Sequence, residues 1–273
     1  LYYKVLFELF GEQILADISD PDFNRQLGKL ENTAIYNALY EFQQKGAMSL
    51  IRMLQKHRGA ILADAVGLGK TWTALAVMKF FQTEGYEVIL LCPKKLEQNW
   101  RQYLVKHNSR FQDDQLHYTI RFHTDLQETR LERYEDGLRI RDYFQSDKRK
   151  LIVIDESHNL RNSKSSRYKY LVETLLKAND DVSVLMLSAT PINNTLMDIR
   201  NQFKLMARDD PRGFAESLGV RNLDSTFREA QQAFHEWREQ PQRAIGDFIK
   251  RLPANFFRLT DALTLSRTRQ MIE

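Results

Sequence analysis

Two short strings hold the residues of this chain that could do chemistry. The first, GAILADAVGLGKT at 59–71, is an apolar run that breaks into a turn holding Gly67 and Gly69 and ends in Lys70-Thr71, followed directly by the helix-like WTALAVMKFF. Strand, loop and helix in that order turn several backbone N–H groups toward one point at a helix N-terminus, where a chain of phosphates fits. Lys70 adds a flexible positive charge for the β- and γ-phosphates, and the Thr71 hydroxyl is suited to Mg²⁺. The second string, LIVIDESH at 151–158, brings Asp155 and Glu156 to the end of another apolar run. There one carboxylate can hold Mg²⁺ while its neighbour activates a water. Together the strings predict a site that hydrolyses a nucleoside triphosphate. Lys70, Asp155 and Glu156 are its catalytic set, Gly67, Gly69, Lys70 and Thr71 bind the nucleotide, and Thr71 and Asp155 hold Mg²⁺. One departure stands out: the general phosphate-loop pattern has Gly six residues before the Lys, and here Asp64 takes that place.

These strings need a scaffold that lines up strand ends. Short apolar runs at 59–63, 87–92, 118–122, 151–155 and 182–188 alternate with helical segments. That alternation predicts an α/β fold whose parallel sheet is covered on both faces, with ligands bound beyond the strands' C-terminal ends. Residues 1–56, including ELFGEQIL and IYNALYEFQQKGAMSLIRML, carry apolar positions at helical spacing and predict a helical N-terminal element. The ATPase-like core is expected over 57–193. A charged helical extension, including FREAQQAFHEWREQ at 227–240, is expected over 194–273. Residues 125–150 are polar, without strong period, and read as an insertion or helical excursion.

Composition narrows the class. A 273-residue chain that is 42% hydrophobic can bury a substantial core. The net charge of +4 divides unevenly, with −4 over residues 1–43 and +8 over the remainder. A basic body suits a polyanionic partner, although a mixed, solvated surface would look the same. No stretch is long and uncharged enough to span a membrane, no secretory pattern opens the chain, and no membrane partner is expected. The chain starts at Leu1 and reads as a piece of a longer protein. Its single cysteine, Cys92, excludes a disulfide framework and reads as a core thiol, and the histidines show no zinc-like spacing.

Further strings follow in a fixed order. FQQKG (42–46) stands before the phosphate loop, LLCPKKLEQNW (90–100) after it, DESHNLRN at 155–162, LSATPINN at 187–194 and LTLSRTRQMIE at 263–273. Alone, LSATPINN would be a hydroxyl-rich turn before a proline. In this order the set resembles superfamily-two helicases, and more narrowly their Swi/Snf-like branch of double-stranded DNA translocases. FQQKG is similar to the branch's YQxxG, ILADAVGLGKT to ILADEMGLGKT, which has the same Asp at the position of Asp64, and LLCPKKLEQNW to ICPxxLxxNW. DESHNLRN resembles DEAHxxKN with Ser157 for Ala, LSATPINN resembles LTGTPxxN, and LTLSRTRQMIE resembles LLRRxKxxVE. The similarity covers about residues 40–273.

The resemblance implies a RecA-like fold, ATP and Mg²⁺ as ligands, double-stranded DNA held through its backbone phosphates, and a second RecA-like lobe that carries an arginine finger. It implies that Gln43 reads the adenine edge, against the alternative of an exposed helix glutamine beside Gln44. His158 would link the nucleotide site to Ser188 and Thr190 as a coupling element. Lys94 and Lys95 would track DNA phosphates, although an exposed basic turn reads equally well. Trp100, at helical spacing from Leu96, reads as core, and Lys148-Arg149-Lys150 as a solvated face. Ala65 and Ser157 depart from the eukaryotic pattern, and a bacterial or phage-type member of the cytoplasm or nucleoid is expected. Two rivals remain open: a motor on RNA or single strands, and a non-motor nucleotide switch that recruits a partner.

Overall fold

The computed structural model describes residues 21–107, 110–127, 137–189, 195–240 and 244–268. Its centre is a six-stranded, wholly parallel sheet in the order β3-β2-β4-β5-β1-β6. The strands are β1 (Gly59–Leu62), β2 (Glu87–Cys92), β3 (Thr119–Phe122), β4 (Lys150–Asp155), β5 (Val182–Leu187) and β6 (Thr264–Leu265). The four strands β1, β2, β4 and β5 are buried along almost their whole length, which explains their continuous apolar runs. β5 lies between β1 and β4, and its register sets Leu62, Leu187 and Asp155 level at one edge of the sheet.

Strand alternation divides the core in two. Ile61, Ile89, Leu91, Ile152, Ile154, Val184 and Met186 face one side. There they meet helices later in the chain: α7 (Met197–Met206), α9 (Leu223–Arg238), α10 (Ile245–Arg251) and α11 (Ala254–Leu263). Ala60, Leu62, Val88, Leu90, Leu151, Val153, Leu185 and Leu187 face the other, against α1 (Pro21–Glu31), α3 (Glu41–His57) and α4 (Lys70–Thr83). Helix α3 ends at Arg58, whose left-handed backbone (φ 57°) turns the chain into β1. Cys92 is fully buried in this second cluster, as expected of a core thiol. No described helix is long and apolar enough to cross a membrane.

Two expectations change. The C-terminal region is not a purely helical extension: after α11 the chain returns as β6 and pairs with β1 at Ile61–Thr264 and Leu62–Leu265. Two strand residues are too few to give a periodic signal. Lys150 is not on a solvated face. It is fully buried at the start of β4, where its ammonium donates to Ser146 O (3.1 Å), Ser146 Oγ (2.8 Å) and Lys148 O (2.7 Å) and lies 3.4 Å from the Glu87 carboxylate. The 125–150 stretch holds a six-residue 3₁₀ segment, Ile140–Gln145, which buries Ile140 and Phe144. ELFGEQIL, Thr190 to Asn194 and the final five residues lie outside the described residues.

The later helices share one core with the sheet, so they should unfold with it. Phe203 of α7 is fully buried and meets Phe227 edge-on at 5.8 Å, and Phe227 meets Phe256 at 5.4 Å. Phe203→Ala should cost about 3–5 kcal/mol. Urea titration should show a single transition, reported alike by far-ultraviolet dichroism and by the fluorescence of buried Trp100 and Trp237.

Candidate active site

The phosphate loop is held from two sides. Its first limb is hydrogen-bonded to the end of the described chain: Ala63 N–H donates to Leu265 O (2.7 Å), Ala65 N–H to Arg267 O (3.0 Å), and Ser266 Oγ to Ala63 O (3.3 Å). Its second limb meets α3 through Gln43, whose Nε2 donates to Leu68 O at 3.0 Å. Gly69, the N-cap of α4, has φ 73°, and a side chain there would collide with the Gln43 amide. Both facts require glycine. Beyond the cap, the Lys70 and Thr71 N–H groups of a 14-residue helix precede its first intrahelical bonds, which Trp72 and Thr73 N–H make to Gly69 O at 2.9 and 3.2 Å.

Lys70 begins that helix, and its ammonium donates to the Asp64 carbonyl at 2.9 Å. Burial pushes the Lys70 pKa down, while Asp64, then Glu156, then Asp155 pull it back up. The lysine is therefore within electrostatic reach of both carboxylates from the second string. The Asp64 carboxylate points the other way. It is fully buried beneath the loop and accepts from the Arg267 guanidinium, with Nε at 3.0 Å from Oδ1 and 3.2 Å from Oδ2, and Nη2 also on Oδ2. Burial pushes the Asp64 pKa up, and Arg267 opposes that shift.

Asp155, at the end of β4, is gripped by two donors: Trp100 Nε1 at 2.8 Å on Oδ2, and its neighbour's amide, Glu156 N–H, at 2.9 Å on Oδ1. Burial raises the Asp155 pKa, and the Trp100 hydrogen bond acts against it. Trp100 is core, as expected, yet it also fixes the Asp155 carboxylate, a contact its spacing from Leu96 does not disclose. Glu156 has a left-handed backbone (φ 51°, ψ 48°), costly for a residue with a Cβ, and Asn159 Nδ2 donates to its carbonyl at 3.0 Å. Thr71 follows Lys70 in the first turn of α4. The donor set therefore suits Mg²⁺, since each Asp155 oxygen accepts one hydrogen bond and keeps a further lone pair.

The remaining expected residues divide. Ser188, directly after β5, is buried and donates its N–H to Leu62 O (3.1 Å), between the phosphate loop and Asp155. Thr190 lies outside the described residues. His158 Nδ1 is 3.1 Å from Glu156 Oε2, so the ring faces the Glu156 carboxylate. One hydrogen bond between this turn and α7 comes from Ser157, whose buried hydroxyl donates to Gln202 at 3.0 Å. Ser157 is the residue that departs from the DEAH pattern, and that departure was its only signal in the sequence. Gln43 is buried rather than exposed, and both ends of its amide are engaged, with Oε1 accepting from Tyr40 N–H at 3.0 Å. Lys94 and Lys95 are exposed on a single turn after β2, with the Lys94 ammonium 5.6 Å from the centre of the Phe122 ring.

Residues 42–212 match the SNF2-related domain family. The chain is 28% identical over 178 residues to Chromodomain-helicase-DNA-binding protein 1-like of Danio rerio, covering 59% of this chain and 16% of that protein. It is 30% identical over 158 residues to the uncharacterized ATP-dependent helicase YqhH of Bacillus subtilis, covering 57% of this chain and 27% of that one. The chain thus spans at most about a quarter of these relatives, and bacterial and animal relatives are similar to nearly the same degree. Its fold is that of the Sulfolobus solfataricus SWI2/SNF2 ATPase core solved in complex with dsDNA: TM-score 0.55 at 20% identity, over 85% of this chain and 44% of that one.

A buried histidine beside Asp155 gives the site a pH signature. His123, just after β3, is 5% exposed, its Nε2 lacks a hydrogen-bond partner, and burial first of all pushes its pKa down to about 4. The folded state keeps this ring neutral, whereas the unfolded chain takes up a proton below about pH 6.5. Stability from this residue is complete above that value and is lost as pH falls toward 4, by up to about 3 kcal/mol. His57, half-buried and also lowered to about 4 by burial, adds to the same limb. Urea titrations between pH 7 and 4 should show this decline, and His123→Leu should flatten it.

Proposed function

The chain belongs to the SNF2-related domain family, and from that membership we propose that it is the ATP-binding lobe of a motor that uses ATP hydrolysis to move along double-stranded DNA. The observation that carries the reading is the convergence of Lys70 with Asp155 and Glu156 across β5, at the C-terminal edge of a parallel sheet. The first-turn amides of α4 bind phosphate oxygens, and Lys70 exchanges its hold on the Asp64 carbonyl for the β- and γ-phosphates. Thr71 and Asp155 would hold Mg²⁺, which would supply charge neutralisation at the phosphoryl group. Glu156 orients the attacking water and accepts its proton, with His158 against its carboxylate. Gln43 reaches the adenine edge by giving up Leu68 O or Tyr40 N–H. That makes the phosphate loop and base recognition interdependent.

Lys94 and Lys95 offer exposed charge to a DNA backbone, a contact blind to sequence. The archaeal core that shares this fold was solved with dsDNA, which supports a duplex over RNA or single strands. Ser188 and His158 lie where the state of the γ-phosphate would pass to α7, and Thr190 is assigned to the same coupling role from its place in the string LSATPINN. A second RecA-like lobe of the same protein supplies the arginine finger, worth roughly 10³–10⁵ in rate in comparable enzymes.

Two measurements test this. Lys70→Ala should weaken nucleotide binding about tenfold or more, whereas Glu156→Gln should bind normally and cease to hydrolyse, because its role begins with the attacking water. Nucleotide affinity unchanged in Lys70→Ala would remove the phosphate-loop assignment. In the longer protein that carries both lobes, duplex DNA should stimulate ATPase far more than RNA or single strands. Charge reversal at Lys94 and Lys95 should cut that stimulation and its salt dependence without changing nucleotide affinity. Equal stimulation by RNA would favour the single-strand motor. No stimulation by any nucleic acid would favour the recruitment switch.

A further inference from the structure

Arg267 joins three parts of the molecule that are far apart in sequence. Its guanidinium takes the buried Asp64 carboxylate with Nε and Nη2, and donates through Nη1 to the Phe42 carbonyl in the first turn of α3. It also lies 5.1 Å from the centre of the Phe42 ring. Gly46, one turn further along α3, leaves room for it: a Cβ there would stand 2.5 Å from Nη1 and 2.8 Å from Cζ. The Arg267 carbonyl accepts the Ala65 N–H, so both its main chain and its side chain hold the first limb of the phosphate loop. The Asp64 carbonyl, on that limb, receives the Lys70 ammonium.

We propose that Arg267 is a positioning residue for nucleotide binding, a clamp that fixes the phosphate loop against the Gln43 helix and thereby sets where Lys70 and Gln43 stand. The proposal rests on reading this loop as the nucleotide site. A guanidinium is needed because it presents several donors in one plane, enough for two carboxylate oxygens and a carbonyl together. A lysine could satisfy only part of that set. Asp64 takes the place of the usual loop glycine because its carboxylate anchors the limb from below, and the Gly of FQQKG is the space the clamp occupies. The clamp also ties the loop to β6, so displacement of the chain after Leu265 would loosen the loop and ligand binding would resist that displacement.

A purely structural ion pair and a positioning clamp predict different results. In the double variant Asp64→Asn/Arg267→Gln both charges leave together, so no unpaired ion stays buried and the melting temperature should return close to wild type. The clamp predicts that ADP, measured by calorimetry, still binds on the order of tenfold more weakly, and that Arg267→Lys does not restore it. A double variant that melts and binds ADP as wild type would overturn the proposal. Gly46→Ala is the second arm, because it keeps every charge. Alanine for glycine inside a helix normally stabilises it, but here it should displace the guanidinium. Hydrogen exchange in a peptide spanning 59–70 should then accelerate and ADP affinity should fall. Exchange unchanged from wild type would equally overturn the clamp. If wild-type protein binds no ADP, the nucleotide reading fails, while the exchange arm still decides whether Arg267 fixes the loop.

Discussion

The position of β5 between β1 and β4 is the constraint on which the site depends. Each of its residues from Val184 to Leu187 pairs with both neighbours, and the register is level at Leu62, Leu187 and Asp155. Adjacent strands lie about 4.8 Å apart, so the ends of β1 and β4 open a gap of roughly 10 Å with Ser188 in its floor. That gap separates a lysine on one side from two carboxylates on the other, close enough to interact and too far apart for a direct ion pair to close the site. A one-residue slip of β5 would turn Leu185 and Leu187 to the opposite core and carry Ser188 out of the gap. The catalytic geometry is thus a consequence of apolar packing on both faces.

The same packing leaves little room for charge, and this organises the polar residues. Lys150 at the lower edge and Asp64 at the upper edge are fully buried, Asp155 beside it is half-buried, and each is met by donors or acceptors that offset its desolvation. Asp64 needs a full ion pair because it is completely enclosed. Asp155 is met by the neutral donors of Trp100 and Glu156, so its carboxylate keeps capacity for a cation. One aspartate is closed by its partner and the other stays open. That difference separates an anchor from a ligand.

Much of this was legible in the sequence because it is local. A continuous apolar run followed by Gly-Lys-Thr or Asp-Glu announces a buried parallel strand and its functional end, and the five long strands and both catalytic strings stand where those runs predicted. What was hidden depends on distant partners. Arg267 is 203 residues from Asp64 and 225 from Phe42, and nothing local marks a guanidinium that will bridge them. Gln43 has the spacing of a base-reading residue, but its engagement with Leu68 follows from how α3 crosses the loop. Lys150 looks like part of a solvated basic run until the strand pairing places it beside Glu87. β6 is two residues long and draws its pairing from β1 rather than from a pattern of its own.

The turn after β4 shows how a catalytic group and a packing contact become inseparable. Glu156 has a left-handed backbone, which reverses the chain so that its side chain and that of Ser157 leave the strand end in different directions. Glu156 faces His158, and Ser157 enters the core to reach Gln202. Two further contacts hold α7 against the same turn: Asn201 Nδ2 donates to Arg161 O at 2.6 Å, and Arg161 lies 3.8 Å from Asp198. A left-handed non-glycine residue costs of order 1 kcal/mol and persists only where its surroundings hold it. Here the holders are Asp155 on its amide, Asn159 on its carbonyl and the Ser157–Gln202 bond immediately beyond. Relaxing Glu156 toward ordinary backbone angles would therefore break contacts to Asp155 and to α7 together. The Glu156 carboxylate and the helix that leads out of the sheet share one strained residue, so neither can shift alone.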